Sequence, residues 1–242
     1  MRSFLAGITF LTRFPVGRFV TFQAADVAHS SAWFPLIGFV LGAIYSLAVA
    51  LLKGHLPLMI IAVLLIALDA VLTGGLHFDG LADTADGFGG GKSRDDVLRI
   101  MRDHSIGSYG GLALAILVAL KVTAYTALLQ RSNWITPFIL IPGLSRWSVL
   151  LLTGTLPYAR ESESVIQGMD KRSLLWGSVI TILAMVAARS ARTWIAMALV
   201  VTVTAAFGLY SRWRIAGITG DTLGANLEVC ESAALLLFVW MR

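Results

Sequence analysis

The chain has 242 residues, of which 57% are hydrophobic and only 14% are charged, and its mean hydropathy is +0.79. An average soluble domain is about a quarter charged, so this composition excludes an ordinary soluble protein and indicates a polytopic membrane protein. The net charge is +5 and the isoelectric point is about 9.7. We attribute this excess of basic residues to the positive-inside bias of membrane proteins and not to nucleic-acid binding. The single cysteine, Cys230, excludes an internal disulfide.

The apolar stretches predict the fold. Residues 3–20 are apolar and basic, and we expect them to lie on the membrane surface or to form a re-entrant segment. Crossing a hydrocarbon core of ~30 Å takes about 20 residues. Seven stretches approach this length, and the fifth and sixth are short: residues 31–52, 56–76, 107–130, 134–155, 174–190, 194–210 and 222–241. The sequence therefore predicts an all-α, polytopic integral membrane helical bundle with about seven (six to eight) transmembrane helices, forming one domain over residues 1–242.

The charged residues predict the orientation. With the N-terminus in the cytoplasm, 12 Lys and Arg residues fall on the cytoplasmic side and 5 on the outer side, as the positive-inside rule requires. Eleven of the 14 acidic residues lie in cytoplasmic segments, and the other three, Asp69, Glu228 and Glu231, lie within spans. We therefore expect the functional site to face the cytoplasm.

The first acidic cluster follows the second apolar stretch, in "LHFDGLADTADGFGGG" at residues 76–91. Asp79, Asp83 and Asp86 are spaced i, i+4, i+7, which places them within about 60° on one helical face. Three carboxylates so close repel one another unless a divalent cation neutralises them, and oxygen ligands suit Mg²⁺ or Mn²⁺ better than zinc. The alternative is a solvated acidic helix end, which does not explain why small residues fill the intervening positions.

The second acidic cluster lies in "TGDTLGANLEVCESAALLL" at residues 219–237. Asp221, Glu228 and Glu231 fall within about 80° on one helical face. Intramembrane carboxylates are costly and usually functional, so we expect this cluster to meet the first one around a shared metal site. The alternative is a packing role, in which Glu228 and Glu231 contact Arg146 or Lys121.

Basic residues near the first cluster suggest contacts with an anionic substrate. The run "GFGGGKSRDD" lacks the glycine spacing of a P-loop, although its glycines and Lys92 suit a diphosphate. Arginines suit phosphate recognition, but the positive-inside flank of a span also explains some of them. A histidine near the cluster is a candidate for substrate contact or for the general base, and an ordinary hydrogen-bonding role is the alternative. The candidate substrate-binding residues are His77, Lys92, Arg102, His104, Arg146 and Arg160.

Several motifs carry a resemblance to a known family. They are "LTRFP", "FPLIG", "GGLHFDGLADTADGFGGGKSRDDVLRIMRDHSIGSYG", "LSRW", "PYAR" and "GDTLGANLEVCE". Over essentially the whole chain, the sequence closely resembles the cobalamin synthase (adenosylcobinamide-GDP ribazoletransferase) family. The resemblance implies a Mg²⁺-dependent enzyme of the bacterial cytoplasmic (inner) membrane. Such enzymes transfer the adenosylcobinamide-phosphate moiety of adenosylcobinamide-GDP to α-ribazole or α-ribazole 5′-phosphate, release GMP and form adenosylcobalamin or its 5′-phosphate.

This chemistry assigns roles to the two acidic clusters. Displacement of GMP from a diphosphate requires charge neutralisation and a positioned ribose hydroxyl, which metal ions held by carboxylates supply. We expect Asp79, Asp83, Asp86 and Asp221 to be catalytic and, together with Glu228, to bind the metal. We expect Arg102, Arg146 and Arg160 to contact phosphates. The expected partners are the two substrates and the lipid bilayer, with no nucleic acid, and a homo-oligomer is left open.

A membrane cation-coupled transporter is the alternative function, because intramembrane acids also mark cation pathways. A transporter is expected to show broken helices in two repeated halves and a site near the membrane midplane. Here the acidic residues lie mainly at one face.

Overall fold

The computed structural model describes residues 1–160 and 171–241, and this part of the chain is helical and contains no strand. Short 3-10 turns occur at Pro15–Arg18 and Ser30–Trp33. The α-helices, in chain order, are α1 (Arg2–Leu11), α2 (Ala24–Ala28), α3 (Phe34–Leu52), α4 (Leu58–Thr73), α5 (Leu76–Gly90), α6 (Arg94–Ile100), α7 (Ser108–Leu129), α8 (Ile135–Thr155), α9 (Lys171–Ala187), α10 (Ala191–Ile215) and α11 (Gly220–Trp240).

The helix lengths confirm an all-α polytopic membrane bundle. Among the described residues, five helices are long and apolar enough to cross a membrane, namely α3 with its preceding 3-10 turn, α7, α8, α10 and α11. The bent pair α4–α5 gives a sixth if it is counted as one span. The fifth predicted span corresponds to α9, which is shorter. The count of about seven spans and the cytoplasmic N-terminus therefore stay predictions.

The first acidic cluster begins where the chain turns sharply. The axes of α4 and α5 differ by 93°, and the two residues between them, Gly74 and Gly75, have φ angles of +70° and +71°. Two consecutive left-handed residues are strained for side chains with a Cβ but not for glycine. Because of this turn, α5 does not continue the direction of α4, and it carries its aspartates across the ends of neighbouring helices.

Helix α8 forms the centre of the bundle. Every residue from Leu140 to Leu150 is buried, and α8 packs against α3, α9, α10 and α11. Outside this core, α1 packs on the 3-10 turn at Ser30–Trp33 and on α3. The Arg13 amide, just after α1, donates to the Leu72 carbonyl near the end of α4 at 2.7 Å. The N-terminal segment thus lies at the end of the bundle where α5 begins.

Five charged side chains form a central ion network inside the bundle: Asp69, Lys121, Arg146, Glu228 and Glu231. The Lys121 ammonium lies 2.6 Å from Glu228 Oε2 and 2.8 Å from Glu231 Oε1. The Arg146 guanidinium lies 3.2 Å from Glu231 Oε2 and 3.7 Å from Asp69 Oδ1. The network therefore joins α4, α7, α8 and α11 where no water is available to solvate an unpaired charge.

Candidate active site

The two acidic segments meet where α5 crosses α11. A Cβ atom added at Gly80 would lie 2.8 Å from the Asp221 carbonyl oxygen and 3.2 Å from its Cα. A Cβ at Gly224 would lie 3.3 Å from the His77 Cα. The two backbones are therefore in contact, and this is possible because both helices present glycine at the crossing. The structure thus brings together two segments that lie far apart in the sequence, as we predicted.

The aspartates at this crossing differ in exposure. Asp79 is exposed and Asp83 is half-buried, and they lie one residue before and three residues after Gly80 on α5. Asp221 is half-buried in the first turn of α11, where the helix dipole favours a negative charge. At least two helices thus present carboxylates to one region.

Arg160 pairs directly with Asp221. The Arg160 Nη2 atom lies 2.7 Å from Asp221 Oδ2, and the two side chains are 16% and 23% exposed. The Thr219 hydroxyl also donates to Asp221 Oδ2, at 3.3 Å. Among the described residues, Arg160 Nε has no hydrogen-bond partner. The guanidinium is therefore held beside the aspartates, with one buried N–H that has no partner among the described residues.

Asp86 makes a contact that its spacing does not predict. The amides of Gly107 and Gly110 donate to its two carboxylate oxygens, at 2.7 and 2.9 Å. Asp86 therefore caps the N-terminus of α7, a position that favours a carboxylate. A carboxylate has about four acceptor sites and these contacts use two, so they show a structural role for Asp86, and its catalytic and metal-binding roles stay predictions.

We expect Asp86→Asn and Asp86→Ala to separate capping from catalysis. Asparagine keeps one acceptor oxygen but places its NH2 group opposite the second amide donor, so Asp86→Asn should keep one of the two capping hydrogen bonds and lose part of the thermal stability, while the folded protein retains most of its turnover. Asp86→Ala removes the acceptor and should cost about 0.5–2 kcal/mol of the free energy of unfolding. Thermal unfolding and turnover of both purified variants test this. Turnover abolished equally by both substitutions, with unchanged stability, would restore a catalytic role.

Glu228 and Arg146 lie in the central ion network and not at the crossing of α5 and α11. Glu228 pairs with Lys121, and Arg146 pairs with Glu231 and Asp69. The seven residues from Asp221 to Glu228 correspond to about 10 Å along a helix, so the two acids share a face but differ in depth. These contacts favour the packing alternative over a metal-binding role for Glu228 and a phosphate-binding role for Arg146.

The remaining basic candidates lie near the loop that connects α6 and α7. Arg102 and His104 are exposed in this loop, and Lys92 is exposed in the preceding connection, between α5 and α6. Arg102 and Arg160 line a cavity of about 370 Å³ together with Arg94, Asp95, Leu98, Arg99 and Ala159. Within this cavity the Arg94 guanidinium donates to the carbonyls of Ala159 and Ile215, at 2.8 and 3.1 Å. Two arginines without such backbone contacts, Arg99 and Arg102, therefore line the same cavity as Arg160, the partner of Asp221.

Two further cavities adjoin the aspartates. One, of about 220 Å³, is lined mainly by apolar side chains and includes His77, Asp79 and Asp221. The other, of about 630 Å³, also includes Asp79 and is lined by polar and apolar residues of α1, α4 and α5, among them Arg13. Asp79 thus lies between two cavities, and Asp221 lies between the apolar cavity and the arginine-lined one.

The described part of the chain contains no preformed metal-binding site made only of protein side chains. Within residues 1–160 and 171–241, no three His, Cys, Asp or Glu side chains converge in an arrangement that holds a metal ion. The crossing of α5 and α11 therefore contains separated carboxylates, the Arg160 guanidinium and three adjoining cavities.

Comparison with known proteins identifies the family. The family model for cobalamin-5-phosphate synthase matches residues 3–239. The chain belongs to the cobalamin-5-phosphate synthase family.

Curated relatives of the chain carry the name adenosylcobinamide-GDP ribazoletransferase. The protein of Syntrophobacter fumaroxidans is 36% identical over 234 residues, covering 94% of each chain. The protein of Ectopseudomonas mendocina is 37% identical over 236 residues, covering 95% of each chain. The protein of Clostridium botulinum strain Langeland is 34% identical over 245 residues, covering 100% of this chain and 98% of its own. No solved structure matches the chain significantly.

These matches confirm the predicted family and its enzyme class, and they give no support to the transporter alternative. In the sequence analysis, Lys121 was named only in the packing alternative and Asp69 was assigned no role, and these two residues complete the central ion network. The sequence already indicated this pairing, because Lys121 and Asp69 are charged residues within predicted spans, and such residues usually pair. Phe10 and Leu11 of α1, which line the apolar cavity beside the aspartates, were also missed.

Proposed function

We propose that the protein is a membrane-embedded adenosylcobinamide-GDP ribazoletransferase whose active site lies at the crossing of α5 and α11. It transfers the adenosylcobinamide-phosphate moiety of adenosylcobinamide-GDP to α-ribazole or α-ribazole 5′-phosphate and releases GMP. The observation that carries this proposal is the contact between the two acidic helices, with Arg160 paired to Asp221, in a chain of the cobalamin-5-phosphate synthase family.

The reaction exchanges one phosphorus–oxygen bond for another. A ribose hydroxyl of the acceptor attacks the phosphorus on the cobinamide side of the diphosphate, and the anhydride bond breaks so that GMP leaves with the electron pair. A carboxylate at the crossing, Asp79 or Asp83, takes the hydroxyl proton. Arg160 and Arg102 hold the charge that develops on the leaving phosphate.

We propose Mg²⁺ as the cofactor, held by Asp79, Asp83 and Asp221. Mg²⁺ usually binds one or two carboxylates together with substrate phosphates and not an all-protein cage, which fits separated carboxylates beside arginines. When bound, the ion neutralises the oxygens of the diphosphate. The carboxylates and arginines of the chain then orient the substrate.

The cavities suit the parts of the donor. The arginine-lined cavity of about 370 Å³ suits the leaving nucleotide, because Arg99, Arg102 and Arg160 match its phosphate charge. The cavity of about 630 Å³ includes Asp79 in its lining, and we assign it to the cobinamide arm. The reacting phosphorus then lies between them, next to the aspartates.

We also propose that this end of the bundle faces the cytoplasm of a bacterial inner membrane, as the distribution of basic residues predicts. In a Cys230→Ser background, a cysteine at Ser93, the N-cap of α6, should react only with reagents that reach the cytoplasmic side. A cysteine at Ser132, between α7 and α8, should react only from outside. Labelling in intact cells and in inverted vesicles measures both, and the reverse pattern would contradict this topology.

GMP release tests the proposed function. Purified wild-type protein with adenosylcobinamide-GDP, α-ribazole and Mg²⁺ should release GMP in step with the cobalamin product. Omitting α-ribazole should abolish GMP release, because the acceptor supplies the nucleophile. Absence of GMP from folded, membrane-reconstituted protein would contradict the proposal.

A further inference from the structure

The apolar cavity beside the aspartates has the composition of a binding site for a flat apolar group. It is enclosed by α1, α3, α5, α8 and α11 and has a volume of about 220 Å³. Its apolar lining includes Phe10, Leu11, Phe34, Val149 and Leu223. Small-molecule sites are typically apolar cavities with a few placed polar groups, and here the polar groups are one histidine and two aspartates.

The size of the cavity limits its occupant. Sites for whole drug-sized ligands measure about 300–1,000 Å³, so 220 Å³ suits one or two fused rings and excludes a corrin ring or a whole nucleotide. Guanine is small enough, but its N–H donors need Asp79 and Asp221, the two acids of the lining, which the proposed function uses to hold Mg²⁺. The occupant is therefore an apolar aromatic ring system with few hydrogen-bonding atoms.

His77 supplies a hydrogen-bonding group that the protein leaves unused. His77 lines the cavity and is only 4% exposed. Among the described residues, its buried Nδ1 atom has no hydrogen-bond partner. A buried polar group without a partner is costly, and a turn of the imidazole towards a ligand in the cavity would remove that cost.

We propose that this cavity binds the heteroaromatic base of the ribazole acceptor, with the His77 imidazole donating a hydrogen bond to the unsubstituted ring nitrogen of the base. The proposal rests on the proposed function and specifies where its acceptor binds. A benzimidazole-type base has two fused rings, apolar faces and a single free ring nitrogen, which matches the volume, the lining and the one imidazole.

This placement orders the two substrates around the Asp221–Arg160 pair. The ribose attached to a base in the cavity lies beside Asp79 and Asp221, which line the same cavity. The leaving nucleotide lies on the side of Arg160, which lines the arginine-rich cavity. An in-line displacement, in which the nucleophile and the leaving group lie on opposite sides of the phosphorus, requires two separate subsites of this kind.

Filling the cavity tests the proposal. Val149 lines it and is 5% exposed, so Val149→Phe should weaken α-ribazole binding at least tenfold by calorimetry and leave GDP binding within twofold. Val201→Phe is the matched control, because Val201 lines a separate cavity between α8 and α10; it should change neither affinity. Unchanged α-ribazole affinity in folded Val149→Phe protein would overturn the proposal and would fit a cavity filled by a lipid chain.

A ligand analogue tests the hydrogen bond without relying on a cavity variant. An α-ribazole analogue with CH in place of the free ring nitrogen should bind the wild type about tenfold more weakly than α-ribazole. His77→Leu should bind both ligands with equal affinity. If His77→Leu discriminates between them as strongly as the wild type does, the proposed contact is wrong.

Different results would contradict the proposed ribazoletransferase function and the proposed binding of the base in the apolar cavity. If the ribazoletransferase function is wrong, the wild type releases no GMP with any acceptor. If only the base subsite is wrong, the wild type releases GMP and Val149→Phe retains the wild-type KM for α-ribazole.

Discussion

Asp83→Asn is expected to lower GMP release by the purified protein more than tenfold while the protein still folds and inserts. Asp83 is half-buried on α5, three residues after the glycine that contacts the Asp221 backbone. Asparagine keeps the shape of the side chain but has no negative charge, so it neither accepts a proton nor balances a cation. A tenfold loss corresponds to about 1.4 kcal/mol of transition-state stabilisation, and losing a metal ligand usually costs several kcal/mol.

Asp103→Asn is the matched control for this substitution. Asp103 is an exposed acid in the loop between α6 and α7, at the same end of the bundle, and its carboxylate accepts a hydrogen bond from the Ser105 amide at 3.0 Å. Its removal changes the charge of this face equally and should leave turnover within twofold. If Asp83→Asn retains more than about a tenth of wild-type turnover, Asp83 has no catalytic role.

Lys121→Met is expected to destabilise the protein more than any surface substitution. The Lys121 ammonium contacts Glu228 and Glu231, and all three side chains are at most 3% exposed. Removing one partner of a buried pair leaves an uncompensated charge and typically costs about 3–5 kcal/mol. We therefore expect little folded protein in detergent extracts, measured by size-exclusion chromatography and thermal unfolding.

A second substitution should restore part of this stability. Lys121→Met combined with Glu228→Gln removes one positive and one negative charge, so the net charge of the central ion network is unchanged. Lys53→Met is the matched control, because Lys53 lies in the loop between α3 and α4 and contacts the Trp134 ring instead of a carboxylate. Lys121→Met protein as stable as the wild type, or no recovery in the double variant, would contradict the importance of this pairing.

The sequence predicts the lengths of the longest spans because hydrophobicity reports on lipid contact. The predicted spans 107–130 and 134–155 correspond to α7 (Ser108–Leu129) and α8 (Ile135–Thr155). The bend between α4 and α5 is different. Hydropathy carries no information about the direction of a helix. The glycines at Gly74 and Gly75 therefore predict a break between α4 and α5, but not the angle of 93° between the helix axes.

The sequence predicts on which helical face each candidate residue lies, but not its depth along the bundle or the residues that it contacts. The i, i+4, i+7 spacing of the first cluster gives a common face, but it does not show that Asp86 meets the amides at the start of α7. Glu228 likewise shares a face with Asp221 and yet pairs with Lys121. Which helix lies opposite a given face depends on packing between distant segments, and the periodicity of one helix contains no information about it.

A double-mutant cycle on Asp83 and Asp221 tests the central claim that α5 and α11 form one active site. GMP release is measured for Asp83→Asn, Asp221→Ala and the double variant, each shown to be folded and inserted. A shared site predicts that the double variant is no slower than the slower single variant, because residues that act as a unit are not additive. Losses that multiply in the double variant, or near-normal turnover in Asp221→Ala, would contradict it.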